Sequence, residues 1–181
     1  EYQGVSRFDG KNWTTYTKSN GLGHGISVGH IEVLPDKSLL FSVSNGNWPE
    51  LDRIDGKAWK KFPAPDKLTK TYAFDVAATS DGTLWFATEK YGAFRLSDDI
   101  WTNYTMKDGL VSDWICCVIA APDDSVWFGT DKGISHFDGK NWQTFTTDDG
   151  LVNNGISSAI ESDGTLWFGS ASAIYSYQPL K

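Results

Sequence analysis

The chain has 181 residues, of which 40% are apolar and 22% charged, the proportions of a globular domain large enough to bury a core. Its aromatic share is 14%, with nine Trp scattered among Gly, Thr, Ser and Asp rather than in Leu/Ala/Glu/Lys runs, which favours strands over helices. The net charge of −7 leaves no basic stripe for nucleic acid or an anionic membrane surface, and no apolar run approaches the roughly 20 residues that cross a bilayer.

In chain order, "GVSRFD" (4–9) and "NWTTYT" (12–17) read as two strands separated by a Gly-Lys turn. A block at 26–63 follows, containing "SLLFSV" (38–43) and "AWKKFP" (58–63). The block at 72–106 repeats the theme with "TLWFAT" (83–88) and "IWTNYT" (100–105). The copy at 114–147 is the clearest: "WICCVIAAP", "SVWFGT", "GISHFD" and "NWQTFT", joined by "DD", "DKG" and "GK". Residues 155–178 give three runs, "GISSAIES", "TLWFGS" and "AIYSYQ". Each run is short, β-branched or aromatic, and bounded by Gly, Asp, Asn or Lys, which is hairpin chemistry.

Trp13, Trp59, Trp101 and Trp142 follow one another at 46, 42 and 41 residues. Four antiparallel strands per period of about 42 residues is the pattern of a β-propeller blade. With the strands of a blade labelled A (inner) to D (outer), the chain starts with C and D, runs through three full blades and ends with A, B and C. The expected fold is a single all-β propeller domain of four blades over 1–181, with 1–17 giving C and D strands of the closing blade and "NWTTYT" supplying its missing outer strand. An arc completed by strand exchange between copies is the alternative, because "GVSRFD" is then one strand too many.

The strings "SDGTLWFATEKYGAFRLSDDIWTNYTMKDGL" and "DDSVWFGTDKGISHFDGKNWQTFTTDDGL" resemble the two-component regulator propeller repeat: a D-G-x-L-W-[FI]-[GA]-T turn and strand, a G-[LIV]-x-x-[FY] strand, then W-x-x-[FY]-T and D-G-L. The resemblance extends over the whole chain. It implies a propeller that senses a ligand outside the cytoplasm, often a carbohydrate-derived signal. A more distant similarity to streptogramin lyases rests on "DGTLWFATE" (81–89), which has one residue too many before Glu89.

The repeat separates scaffold residues from exceptions. Trp13, Trp59, Trp101 and Trp142 on D strands and Trp85, Trp127 and Trp167 on B strands are expected to pack blade against blade. The recurrent Asp-Gly pairs are expected to shape turns rather than bind metal. The exceptions are Trp48, in the long loop "SNGNWPEL", and Trp114, in "GLVSDW"; strand alternation puts both on the face built from D–A and B–C loops. With Tyr72, Tyr91, Asn45, Asn47, Glu50, Glu89, Asp113 and His24 they form a candidate site for a polar small molecule, a glycan or a protein partner. Aligning the A strands from their ends puts His30, Asp75, Cys117 and Ser157 in one polar column facing the channel, with His30 and Asp75 as a general acid–base pair in the alternative reading of a lyase or hydrolase. No cofactor or metal motif is present, and His136 reads as structural. The adjacent Cys116 and Cys117 read as free thiols, since a bridge between neighbours needs a strained peptide unit. The primary expectation is therefore a non-enzymatic, extracytoplasmic binding or sensing module; a purely structural arc that closes by homo-oligomerisation is the third reading.

Overall fold

The computed structural model describes residues 4–22, 27–44, 49–56 and 58–178. They are all-β apart from three single-turn 3-10 segments, and the sheets follow one another along the chain as propeller blades do. The chain divides into two compact units, Glu1–Ala73 and Phe74–Lys181.

The first unit holds a two-stranded sheet of β1 (Val5–Phe8) and β2 (Trp13–Tyr16) and a four-stranded sheet of β3 (Ser27–Val33), β4 (Leu39–Ser44), β5 (Pro49–Ile54) and β6 (Trp59–Lys61). Leu22, Phe41, Val43 and Ile54 are buried there, with Val5, Tyr16 and Trp59 packed against them. The ring of Trp59 meets Tyr16 edge-on at 5.5 Å and Phe41 at 4.9 Å. Such pairs add to what area burial alone contributes.

The second unit contains β7 (Ala73–Ala78), β8 (Leu84–Thr88), β9 (Ala93–Ser97) and β10 (Ile100–Tyr104); then β11 (Ile115–Ala120), β12 (Val126–Thr130), β13 (Gly133–Phe137) and β14 (Trp142–Phe145); then β15 (Ile156–Ser162), β16 (Thr165–Ser170) and β17 (Ile174–Tyr177). Each sheet is a plain antiparallel meander. β11 packs on β8 of the sheet before it and on β15 of the sheet after it, so the three sheets stack through their inner strands.

Two apolar layers hold this stack. Trp85, Leu110, Ile115, Val118, Val126, Phe128 and Phe137 are buried between the first and second sheets, and Trp127, Ile134, Ile156, Leu166 and Phe168 between the second and third. Polar groups fix the rotation of one sheet against the next. Asp75 accepts the Val118 backbone N–H across sheets at 2.9 Å, Asp124 accepts both the backbone N–H and the hydroxyl of Ser80 at 2.7 and 2.6 Å, and buried Ser135 accepts the Val111 N–H at 2.9 Å.

The hairpin turns are built as their residues dictate. Gly139 sits at φ +96°, and Asp138 takes the N–H groups of Lys140 and Asn141 at 2.8 and 2.7 Å. Asp9 does the same for Lys11 and Asn12. These carboxylates are turn caps, and the acidity of each is raised by the N–H groups they accept.

Two expectations need correction. Not every repeat-position Trp is packed: Trp85 and Trp127 are 2% exposed, but Trp13 is 70% and Trp167 is 42% exposed. The polar column also shifts in the last sheet. There the turn has only two residues, Asp163 and Gly164, so Ser158 lies opposite Gly169 as Cys117 lies opposite Gly129, and Ser157 occupies the bulge.

Candidate functional site

The loops of the second unit form a stitched surface. Thr88 closes the turn after β8, accepting the Tyr91 N–H at 3.1 Å and donating to the Gly92 carbonyl at 2.7 Å. Thr130 repeats this after β12 with Lys132 and Gly133. The segment between β10 and β11 runs across both turns: the Gly92 N–H reaches the Asp113 carbonyl at 3.0 Å, and the Asp131 N–H reaches the Trp114 carbonyl at 3.3 Å. Tyr91, Asp113 and Trp114 are thereby brought onto one surface, with Glu89 on the same turn as Tyr91 and Asp131 beside Trp114.

Trp114 is 44% exposed, whereas Trp85 and Trp127 of the same unit are each 2% exposed. Its repeat counterpart in the last blade is Gly155, so the indole is an addition to the scaffold. Tyr91 and Glu89 are half-buried, and Glu89 lies 3.8 Å from Lys90. An exposed indole on loops joined by main-chain hydrogen bonds offers a flat apolar surface.

Asp113 has a second occupation that its sequence position hid. Its side chain accepts the Met106 N–H at 2.8 Å, and Asn154 accepts the Thr147 N–H at 2.7 Å at the same point of the next repeat. The signal was available, since "GLVSD" aligns with "GLVNN".

The remaining residues of the loop set fall elsewhere. Tyr72, 46% exposed, and Glu50, paired with Lys61 at 3.3 Å, belong to the first unit. Trp48, Asn45, Asn47 and His24 lie outside the described residues.

Within the inner-strand column each group is engaged locally. Asp75 accepts the N–H groups of Val76 and Val118 at 3.0 and 2.9 Å, so its carboxylate joins two sheets. His30 lies 3.7 Å from Glu32. Cys117 is free and buried; burial, with the nearby Asp75 charge, pushes its thiol up to about 12. A thiol that stays protonated is a poor nucleophile. Cys116 is also free, and burial raises its pKa too. Among the described residues, no three His, Cys, Asp or Glu side chains are grouped to hold a metal ion. His136 stacks on Trp127 at 4.0 Å, and burial lowers its pKa, which suits a neutral packing role.

Two cavities escaped sequence reasoning. One of about 430 Å³ lies in the first unit, lined by Val5, Tyr16, Leu39, Phe41, Ile54 and Trp59 among others. The other, about 130 Å³, lies in the second unit against Trp127, Phe145, Leu151, Phe168 and Tyr177. Both are walled by repeat-position aromatics.

With this geometry in place, comparison with known proteins identifies the fold. The extracellular domain of the putative one-component system BT4673 from B. thetaiotaomicron superposes with a TM-score of 0.75 over 98% of this chain and 27% of its own, at 18% identity. The extracellular domain of the putative hybrid two-component system BT3049 from the same organism gives 0.70 over 92% and 24%, at 19% identity. A catalytically inactive virginiamycin B lyase from Staphylococcus aureus, solved with quinupristin, gives 0.68 over 94% and 60%, at 18% identity. The fold is a β-propeller fold. The two kinds of propeller that the sequence resembles are both represented among these neighbours. The chain spans about a quarter of the length of the extracellular domains it matches. No protein-family model matches the chain, and no curated protein matches it in sequence. No helix among the described residues is long and apolar enough to cross a membrane.

Proposed function

We propose that the chain is a ligand-sensing propeller module that works outside the cytoplasm and binds a neutral polar ligand, most simply a glycan, on the loop surface around Trp114. The observation that carries this reading is Trp114 itself. In a unit where Trp85 and Trp127 are almost fully buried, one indole that the repeat does not require stands 44% exposed on loops pinned by main-chain hydrogen bonds. Exposed aromatics on rigidly held loops are a usual place for recognition, and a sugar ring stacks its C–H face on such a plane while its hydroxyls meet flanking acceptors. Tyr91 and Glu89 supply the flank. The extracellular sensor domains among the structural neighbours support the sensing role and the compartment.

A lyase or hydrolase built on His30 and Asp75 is supported less well, since Asp75 already spends both carboxylate oxygens on backbone N–H groups. The test is calorimetric titration with a panel of neutral oligosaccharides, repeated on Trp114→Ala. The reading expects a binder whose affinity falls at least about tenfold in the variant. A binder that Trp114→Ala holds equally well moves the site elsewhere, and turnover of any panel member would revive the enzymatic reading.

A further inference from the structure

One column of the repeat carries a basic side chain in each four-stranded sheet, and only its third member titrates near neutrality. Across the strands, Arg53 pairs with Leu40 in the β3–β6 sheet, Arg95 with Trp85 in the β7–β10 sheet and His136 with Trp127 in the β11–β14 sheet. The turn that leads into each of these B strands is built alike. Asp36, Asp81 and Asp123 accept the N–H groups of Ser38, Thr83 and Ser125 at 3.0, 2.9 and 3.0 Å. The turn is constant while the base changes from Arg to His.

The two arginines have partners for their charge. Arg53 bonds the Asp36 carboxylate through Nη2 and donates through Nε to Ser38 Oγ at 2.9 Å. Arg95 lies over the Trp85 ring, 5.9 Å from its centroid. The shorter imidazole of His136 finds no such partner. Its Nε2 is buried without a hydrogen bond, and the hydroxyl of Ser125 is taken by the Trp127 indole N–H at 3.2 Å. The ring stacks on Trp127 at 4.0 Å, tilted by 21°. The groups that act on it are the Asp123 carboxylate from the β11–β12 turn, the Asp138 carboxylate from the β13–β14 turn and the Gln143 side chain from β14. Tyr177 of β17 packs on the same indole at 4.4 Å. Burial holds the His136 pKa below its ordinary 6.5 against the pull of Asp123, Asp138 and Gln143.

We infer that His136 makes the β11–β14 sheet an acid-sensitive joint, at a place where the two other four-stranded sheets carry a permanent cation. Neutral, the ring is a stacked aromatic whose buried Nε2 leaves one uncharged group unpaired. Protonated, it leaves the N–H of a cation buried with no acceptor, which costs more. The unfolded chain therefore takes the proton first. The stability that His136 contributes is complete above 6.5 and is lost as pH falls from there through the lower folded value. Asp123 and Asp138 both titrate below 3.8, so they stay charged throughout that window and the change belongs to the imidazole. The inference is independent of what binds at Trp114.

The test has two readings. In the full chain, NMR titration of the His side chains, with the Trp127 indole N–H followed in parallel, reports the joint without any variant. The inference expects His136 to titrate below 6.5 and the indole signal to move with the same midpoint. Urea unfolding of the parent, His136→Gln and His136→Arg between about pH 7.5 and about pH 5 gives the linkage. On acidification the unfolding equilibrium constant of the parent should rise relative to both variants, approaching tenfold for each unit by which the folded value lies below 6.5. His24 and His30 are common to all three chains and cancel. A His136 midpoint at or above 6.5, a Trp127 signal that does not follow it, or parallel unfolding curves for the parent and His136→Gln overturns the inference.

Discussion

Trp85 and Trp167 occupy the same place in the repeat, yet their replacement is expected to have different consequences. Trp85 is 2% exposed and its ring meets Tyr104, Phe128 and Phe137 at 5.5, 5.6 and 5.4 Å. Trp85→Ala should cost about 3–5 kcal/mol, the usual range for deleting a buried aromatic. Trp167 is 42% exposed in the three-stranded sheet. An indole buries roughly 200 Å², so the difference in exposure corresponds to about 80 Å², or about 2 kcal/mol at ~25 cal/mol per Å². A void beside Trp167 also opens to water rather than remaining as an empty cavity, which widens the gap. Urea unfolding of both variants and the parent chain measures this. With m of about 1–3 kcal/mol/M, the midpoints of the two variants should differ by about 1 M, with m unchanged. Equal midpoints would refute the claim that the neighbouring sheet, rather than the repeat position, sets what the indole contributes.

Three further outcomes are expected. Asp81 is held below its ordinary 3.8 by the Thr79 hydroxyl, then the Thr83 N–H and hydroxyl. Its folded-state pKa is depressed, so its contribution is present above 3.8 and lost as pH falls through the lower folded value. Asp81→Asn should therefore lower the urea midpoint at pH 7, and the difference should shrink below about pH 4; a gap that stays constant to pH 2.5 would contradict this. Cys117, its thiol pushed up to about 12, should resist alkylation at pH 8 in the native chain and react fully in urea, as read by mass spectrometry of its peptide. Gly109→Ala and Gly150→Ala carry the same left-handed strain, but only the first collides with an indole, so Gly109→Ala should be the more destabilising in thermal melts.

Much of this molecule is written in local sequence. Strand alternation and the Asp-Gly turns depend on neighbours a few residues apart, so the hairpins and their period of about 42 residues could be read directly. The caps at Asp9 and Asp138 follow from the same short-range logic. The candidate site was legible only as a departure from the repeat: Trp114 and Tyr91 stand out because the scaffold does not need them. Asp113 was misread for the complementary reason, since its bond to the Met106 N–H spans seven residues and looks like a spare carboxylate until the loop is folded.

Tertiary structure decided what the repeat leaves equal. Trp85, Trp127 and Trp167 share one motif; the first two are buried with Phe128 and Phe168 of the following sheet packed on them, while Trp167 is 42% exposed. Ser158 instead of Ser157 faces Gly169 because a two-residue turn moves the whole ladder by one step. The difference between Gly109, where an added Cβ would meet Trp142, and Gly150, where it would meet nothing within 4 Å, is invisible in a sequence that writes Asp-Gly-Leu at both places. Backbone geometry is set within a turn or a hairpin, so sequence determines it; burial is set by the element that arrives from the next blade, so only the assembled sheets determine that.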